Sequence, residues 1–314
     1  MNISICITVL NEERMISRLL DSLVNQRKKV DEIIIVDGGS TDKTLEIIRH
    51  YQKKYSYIKS ISEKCSRARG RNLSVELAKN KVVAMTDGGC IANRDWIKNI
   101  SEPFNTETID IVAGFYKMSG KTSLQKAESI FLGITPRKFN HNFLPSTRSV
   151  AFTRKIWVDI GGFPEGIEGT AEDTAFNYKL INFGARISRV KSAIVEWGMP
   201  KTLKDFFWKI FAYAKGDVKS KIWIFPEKGI TSHNIKALSV FFRYLVGMLL
   251  IVLSSETPIF FTVFVICLFA YLFWSFRKVF LEFGDWKVSL WGPVLQITSD
   301  IAVIGGFTSG ILNK

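Results

Sequence analysis

From Pro258 to Phe276 the chain reads "PIFFTVFVICLFAYLFWSF", nineteen residues without a formal charge. A helix of that length rises roughly 28 Å at about 1.5 Å per residue, close to the hydrocarbon thickness of a bilayer. No other feature narrows the fold as much, because such a segment is read as a membrane span. The apolar region begins earlier: from Ala237 to Phe276 only Arg243 and Glu256 are charged. Residues 237–255 also span if Arg243 carries its guanidinium to the interface on a buried stem. A third stretch, 288–312, has Asp300 as its one charge but contains Gly292, Pro293, Gly305, Gly306 and Gly310. That leaves open a soluble or re-entrant segment there. The expectation is a membrane region over 237–314 with two to three transmembrane helices, near 237–255, 258–276 and 288–312. A linker over 218–236 precedes it.

Basic flanks set the orientation. Lysine and arginine crowd the chain before Ala237, whereas the link between the first two spans is Ser255-Glu256-Thr257-Pro258. Arg277 and Lys278 follow the second span, and Lys287 precedes the third. The positive-inside rule then predicts a multi-pass protein of the cell membrane with its N-terminal domain in the cytoplasm. The net charge of +14 on 314 residues draws that domain to anionic lipid. No helix-turn-helix or finger pattern accompanies the lysines, which argues against nucleic acid as a partner. The histidines at 50, 141 and 233 are too dispersed for a zinc cluster. The cysteines at 6, 65, 90 and 267 have neither metal-ligand spacing nor a disulfide framework, so free thiols are expected. The opening "MNISICITVLNEE" lacks the pattern of a secretory leader and is expected to be a strand.

The first hundred residues alternate strand and helix signals. Apolar runs at 3–10, 30–37, 57–62 and 81–87 predict strands; Glu12 to Val24, Thr41 to Tyr51 and Ala68 to Lys79 predict helices. Such alternation implies an α/β fold with a mostly parallel sheet flanked by helices. In sheets of that kind the chemistry gathers beyond the carboxyl ends of the strands, where Asn11, Asp37 and Asp87 all fall. The turn "DGGSTD" at 37–42 is neither a dinucleotide loop nor a Walker motif. Ser40 or Thr41 is expected to cap the following helix while Asp37 faces a ligand. "VAMTDGGCI" at 83–91 ends a strand in one carboxylate and two glycines, a tight turn or a binding loop. Further on, 110–116 predicts a strand, 139–154 a long loop running into one, and 156–163 a glycine turn. A helix over 169–184 has Thr170 as cap and Glu172 and Asp173 in its first turn. "TLKDFFWKIFAYAKGD" at 202–217 puts Phe207, Ile210, Phe211 and Ala214 on one face, suited to a core or to a membrane surface.

The ordered set "TVLNEE" (8–13), "VDGGSTD" (36–42), "SRARGRN" (66–72), "MTDGG" (85–89), "GGF" (161–163) and "ED" (172–173) resembles the inverting family-2 glycosyltransferases of GT-A fold, particularly the membrane-attached ones. The resemblance runs over roughly 1–217 and implies a GT-A, Rossmann-like catalytic domain closed by an interfacial helix. It implies that Asn11 and Glu12 stand where the first strand meets a nucleotide, and that Asp37 accepts from the base. Arg71, with Arg67 or Arg69, would hold the nucleotide and its diphosphate. Asp87 occupies the first position of the family's Asp-x-Asp element, near ribose and metal, and Asp173 matches the base that deprotonates an acceptor hydroxyl. Gly89 stands where many relatives carry a second, metal-ligating aspartate. Gly88 and Gly89 would instead let a diphosphate or a hydrated Mg2+ or Mn2+ approach the backbone. The Gln/Arg-x-x-Arg-Trp element of processive synthases is absent after Asp173, which favours transfer of one sugar per event.

The implied function is an inverting glycosyltransferase (a hexosyltransferase) moving a sugar from a UDP- or GDP-sugar to a polyprenyl phosphate or lipid-linked glycan at the cytoplasmic face. Two other readings remain: a membrane-anchored nucleotide-sugar-binding or scaffold protein that has lost turnover, and a nucleotidyltransferase.

Overall fold

The computed structural model describes residues 1–106, 108–166, 171–219 and 233–312. In chain order it opens with β1 (Ile3–Val9), α1 (Ile16–Val24), β2 (Glu32–Asp37), α2 (Thr44–Lys54), β3 (Ile58–Ser62), α3 (Arg67–Leu77) and β4 (Val82–Asp87). Next come β5 (Cys90–Ala92), α4 (Trp96–Ser101), α5 (Pro103–Thr106), β6 (Ile111–Ser119) and α6 (Ser123–Leu132). A single 3-10 turn at Pro136–Lys138 precedes β7 (Val150–Thr153), α7 (Arg154–Asp159), α8 (Glu172–Asn182) and β8 (Ile187–Gly198). The remainder is helical: α9 (Leu203–Lys219), α10 (His233–Leu253), α11 (Pro258–Phe283), α12 (Trp286–Ser289) and α13 (Trp291–Leu312).

Two compact units result, one of residues 1–118 and 135–198, the other of 119–134 and 199–314. The first contains an α/β sheet of eight strands, among the described residues, in the order β3-β2-β1-β4-β7-β6-β8-β5. β3, β2, β1 and β4 run parallel, and β7 joins β4 antiparallel. All six residues of β2 are buried, as expected where helices cover both faces of a parallel strand. The core between sheet and helices joins Cys6, Val83, Phe152, Phe163 and Phe176. Register aligns the carboxyl ends: Val9 lies beside Asp37 and Thr8 beside Asp87. Asp37, Asp87 and the residues after β1 therefore share one edge. This is the expected GT-A-like α/β architecture.

Local details depart from the sequence reading. α1 starts at Ile16 rather than Glu12; Glu13 to Met15 form a turn before it, in which the Met15 N–H donates to the Glu12 carbonyl at 2.9 Å. α2 starts at Thr44, and neither Ser40 nor Thr41 caps it. Ser40 Oγ accepts the Asn11 N–H at 2.8 Å, and the Thr41 N–H donates to Asn11 Oδ1 at 2.9 Å. Asp42 instead takes the Thr44 N–H, at 2.9 Å. Thr170 lies outside the described residues. α8 is preceded by Ala171 in the left-handed conformation, φ 88°, with no side-chain cap.

In the second unit two stretches are long and apolar enough to cross a membrane, Pro258–Phe283 and Trp286–Leu312. α11 thus continues past Phe276. Lys278 stays helical, its Nζ 3.8 Å from the Phe131 ring and 3.4 Å from Gln296 Oε1. Within the 288–312 stretch, Val288 and Ser289 end α12 and Trp291–Leu312 is one continuous helix. Its glycines serve close packing: a Cβ on Gly306 would lie 2.3 Å from the Phe211 carbonyl oxygen. The expected 237–255 span is the shorter apolar run, Ala237–Leu253. Arg243 does not reach outward; its Nη2 pairs with Asp300 at 2.9 Å, and the Tyr271 hydroxyl meets the same carboxylate at 2.6 Å. On α9 the buried stripe is Phe206, Ile210 and Ala214, one residue off the expected Phe207. Residues 220–232 of the expected linker lie outside the described residues.

Candidate active site

The nucleotide-facing corner expected at 11, 12 and 37 is internally bonded. Asn11 adopts φ 55°, a left-handed conformation that Asn tolerates better than most residues. Its side chain receives the Thr41 N–H, and the Glu12 N–H donates to Thr44 Oγ1 at 2.7 Å, so the loops after β1 and β2 brace one another. Asp37 is fully buried. Its Oδ2 accepts from the N–H groups of Gly39 and Ser40, each at 3.1 Å, and from Ser62 Oγ at 2.8 Å. Asp37 therefore shapes the loop, which is the role short acidic side chains often take in turns.

Arg71 is the hub of the site. It sits on α3, whose start is fixed by Ser66 accepting the Arg69 N–H. Only 5% of its side chain is exposed. Its Nη1 donates to Glu172 Oε1 at the start of α8; its Nη2 donates to Asp87 Oδ1 at 3.1 Å and to Thr147 Oγ1 at 2.8 Å. Burial alone would weaken its hold on its proton, but Asp87, Glu172 and Asp173 together strengthen it. Arg67 approaches Glu172 at 3.5 Å from a half-exposed position. Arg69 faces elsewhere, to Glu63, Glu76 and Glu165. Of the two alternatives beside Arg71, the structure brings Arg67 to the site.

Asp87 ends β4 with a third of its side chain exposed. Burial would raise its carboxyl, but Arg71, then Arg148 and Arg67, hold it below the ordinary carboxylate range. The Gly88-Gly89 turn follows, and Glu12 lies against it. A Cβ on Gly88 would meet Glu12 Cγ at 3.0 Å, and one on Gly89 would meet nothing closer than Glu12 Oε2 at 4.0 Å. Among the described residues no three His, Cys, Asp or Glu side chains converge on a common metal position. The oxygens of Asp87 and Glu12 beside an open glycine turn nevertheless fit Mg2+ or Mn2+, which bind through one or two carboxylates plus water and substrate oxygens.

Asp173, the expected base, lies in the first turn of α8 and accepts the Thr174 N–H at 2.8 Å. It lines a small recess with Ser146, Thr147, Phe163 and Asn177. Its neighbour Glu172, read from sequence as a helix-terminus charge, is buried and ties α8 to Arg71. Sequence reasoning passed over Thr147 and Arg148. Both lie in the loop before β7, where "STRS" gave only the signal of a polar loop entering a strand. The Arg148 guanidinium carbon stands 3.9 Å from the Trp197 ring centre and 5.0 Å from that of Tyr116.

A 27% identical stretch of 175 residues aligns with Glycosyltransferase AglE of Haloferax volcanii, covering 52% of this chain and 56% of AglE. The chain thus spans little more than half of that relative. The O-antigen chain rhamnosyltransferase RfbN of Salmonella typhimurium is 24% identical over 231 residues, covering 67% of this chain and 71% of RfbN. Among solved structures, the mannosyltransferase PcManGT from Pyrobaculum calidifontis, in complex with GDP-Man and Mn2+, aligns with a TM-score of 0.63. That alignment has 18% identity and covers 100% of this chain and 88% of PcManGT, a likeness of fold. Residues 4–163 match the model of "Glycosyl transferase family 2". With half its length in that match, the chain belongs to glycosyl transferase family 2.

Proposed function

We propose that the protein is an inverting hexosyltransferase that moves one sugar from a UDP- or GDP-sugar to a polyprenyl phosphate or lipid-linked glycan at the cytoplasmic face of the cell membrane. The observation that carries this reading is Arg71 joining Asp87 at the end of β4 to Glu172 at the start of α8. One buried guanidinium thereby fixes a donor-side carboxylate relative to the helix that bears Asp173. In this reading residues 1–217 form the catalytic part, with Asn11, Glu12 and the Asp37 loop forming the nucleotide end. α9 packs lengthwise against α13, with Phe211 and Ala214 at Gly306 and Val218 at Gly310, and two apolar helices anchor the chain. The GDP-Man and Mn2+ of PcManGT favour a nucleotide-sugar donor and a divalent ion.

In an inverting transfer the acceptor oxygen attacks the anomeric carbon as the bond to the diphosphate breaks. A bound Mg2+ or Mn2+, held by Asp87 and Glu12, would supply charge neutralisation for the departing diphosphate. Asp173 takes the proton of a hydroxyl acceptor. A phosphate acceptor is already anionic, and Asp173 then orients it. Arg71 keeps Asp87 ionised and holds the two sides in register, so the geometry is organised before substrate arrives.

The test is to incubate the purified protein with UDP- and GDP-sugars and a polyprenyl phosphate, and to identify the nucleotide released. A nucleoside diphosphate supports the proposal. Pyrophosphate would assign a nucleotidyltransferase, and absence of nucleotide binding would assign a scaffold.

A further inference from the structure

The first compact unit holds a second basic concavity, away from the candidate active site. A cavity of about 430 Å³ opens beside Lys79, Lys81, Asp110, Arg154, Lys155 and Arg186. That volume falls within the usual range for small-ligand pockets, roughly 300–1,000 Å³. The sheet places it far from Asp87. Val82, the first residue of β4, pairs with Thr153, the last of β7, and Thr153 lines the cavity. Asp87 ends the same strand, roughly 17 Å away at about 3.3 Å per residue.

The cations around the cavity are not equivalent. Arg186 is spent on Asp110, to which its Nε and Nη2 each donate at 3.0 Å. Lys155 Nζ donates to Asp159 Oδ2 at 2.5 Å, one turn along α7. Arg154 is held differently. Its Nη1 donates to the Ala78 carbonyl at the end of α3, which fixes the guanidinium without offsetting its charge. Lys79 and Lys81 lie in the link from α3 to β4, and both are exposed. Among the described residues neither ammonium has a hydrogen-bond or ion-pair partner. The Glu32 carboxylate accepts the Lys79 N–H at 2.9 Å, but its charge is met by Lys59 at 3.3 Å. Lys79, Lys81 and Arg154 thus bring three positive charges to one cavity without carboxylates of their own. Like charges so gathered repel one another until an anion joins them.

We infer that this cavity is a second binding site, for an anion that bears phosphate. Phosphate and diphosphate groups offer several acceptor oxygens and more than one negative charge. That suits two flexible ammoniums beside one fixed guanidinium. The same chemistry is carried by soluble phosphates and by the headgroups of anionic lipids. The inference stands apart from the nucleotide-sugar reading, because no residue at the Asp87 end of the sheet takes part.

The experiment is a calorimetric titration of the full-length protein in a neutral detergent with pyrophosphate and with dihexanoyl phosphatidic acid. Dihexanoyl phosphatidylcholine, whose headgroup has no net charge, corrects for partition into the micelle. The parent is compared with Lys79→Gln/Lys81→Gln and with Lys53→Gln/Lys54→Gln, which removes the same charge from exposed positions on α2. Lys79→Gln/Lys81→Gln is expected to weaken anion binding about ten- to a hundredfold, the scale of lost charge-assisted hydrogen bonds. Lys53→Gln/Lys54→Gln is expected to stay within about twofold of the parent. The anion whose affinity falls assigns the source: pyrophosphate a soluble ligand, phosphatidic acid a lipid headgroup, both the shared phosphate chemistry. Equal losses in the two double variants would overturn the inference, because overall charge and not this cavity would then govern binding. So would a parent that binds neither anion, or a Lys79→Gln/Lys81→Gln protein that binds both as the parent does.

Discussion

Arg71 Nη2 lies 3.1 Å from Asp87 Oδ1, across a buried junction between α3 and the end of β4. The same guanidinium reaches Glu172, so one cation offsets two carboxylates removed from most of their water. Arg71→Met should destabilise the fold by about 3–5 kcal/mol, since removing one member of a buried pair leaves the others uncompensated. Arg71→Lys restores charge without the bridge and should recover only part of that loss. The pH dependence follows from the depressed Asp87 carboxyl, whose ordinary value is 3.8. Its stabilising contribution is fully present above that value and is lost as pH falls through the lower folded value. Denaturant unfolding at neutral and acid pH measures both effects, and an Arg71→Met protein as stable as the parent would refute the strut.

Asp87→Asn preserves shape while removing the acidic side chain of the "MTDGG" turn. Nucleotide affinity in the parent should increase with Mg2+ or Mn2+, and the variant should lose most of that increase. Calorimetric titration with and without the ion reads the difference. A variant with unchanged metal dependence would show that Asp87 is not the anchor.

Asp173→Asn should leave nucleotide affinity near the parent value and slow transfer to a hydroxyl acceptor ~10²–10⁴-fold, the usual worth of a general base. With a phosphate acceptor the loss should be smaller, because no proton has to be removed. Initial rates with the two acceptor types separate these cases. Parent-like transfer to a hydroxyl would reduce the Glu172-Asp173 pair to a helix terminus and an Arg71 partner.

Glu128 of α6 is fully buried, and among the described residues neither carboxylate oxygen has a hydrogen-bond partner. Burial raises its carboxyl from 4.5 to about 7, with Lys209 opposing and Asp205 adding to the rise. The folded state therefore holds a proton that the unfolded chain releases, and stability should fall as pH rises from about 4.5 to 7. Glu128→Gln should leave stability unchanged near pH 4 and raise it above pH 7 by about 1–3 kcal/mol, since a tenfold difference in proton affinity between folded and unfolded chain is worth ~1.4 kcal/mol. Thermal unfolding across that range checks the sign. A Gln variant that is less stable at pH 8 would show that the carboxylate has a partner.

The strand ends were legible because period and apolarity are local properties. Asn11, Asp37 and Asp87 fall on one edge by parallel register alone. What joins that edge to Glu172 is not local: Arg71 and Glu172 are 101 positions apart, and no spacing rule marks the pair. The same holds for Arg243 and Asp300, 57 positions apart, which turned an expected snorkelling residue into a paired one. Ser40 and Thr41 carried a cap signal, but hydroxyls and N–H groups bond whichever partner the fold supplies, and here Asn11 stands closer. Arg148 was hidden for a related reason. Its neighbours Tyr116 and Trp197 come from two other strands, and an arginine in a polar loop looks like any solvated charge.

The most direct measurement follows an isotopically labelled sugar. The full-length protein in a lipid nanodisc that contains polyprenyl phosphate or a lipid-linked glycan is supplied with labelled UDP- and GDP-sugars. Label in the organic extract and nucleoside diphosphate in the aqueous phase are then quantified for the parent and Asp87→Asn. The account predicts equimolar lipid-borne label and nucleoside diphosphate in the parent, with inverted anomeric configuration, and a marked loss of both in the variant. Release of pyrophosphate, or label confined to water-soluble acceptors and indifferent to the lipid, would contradict it.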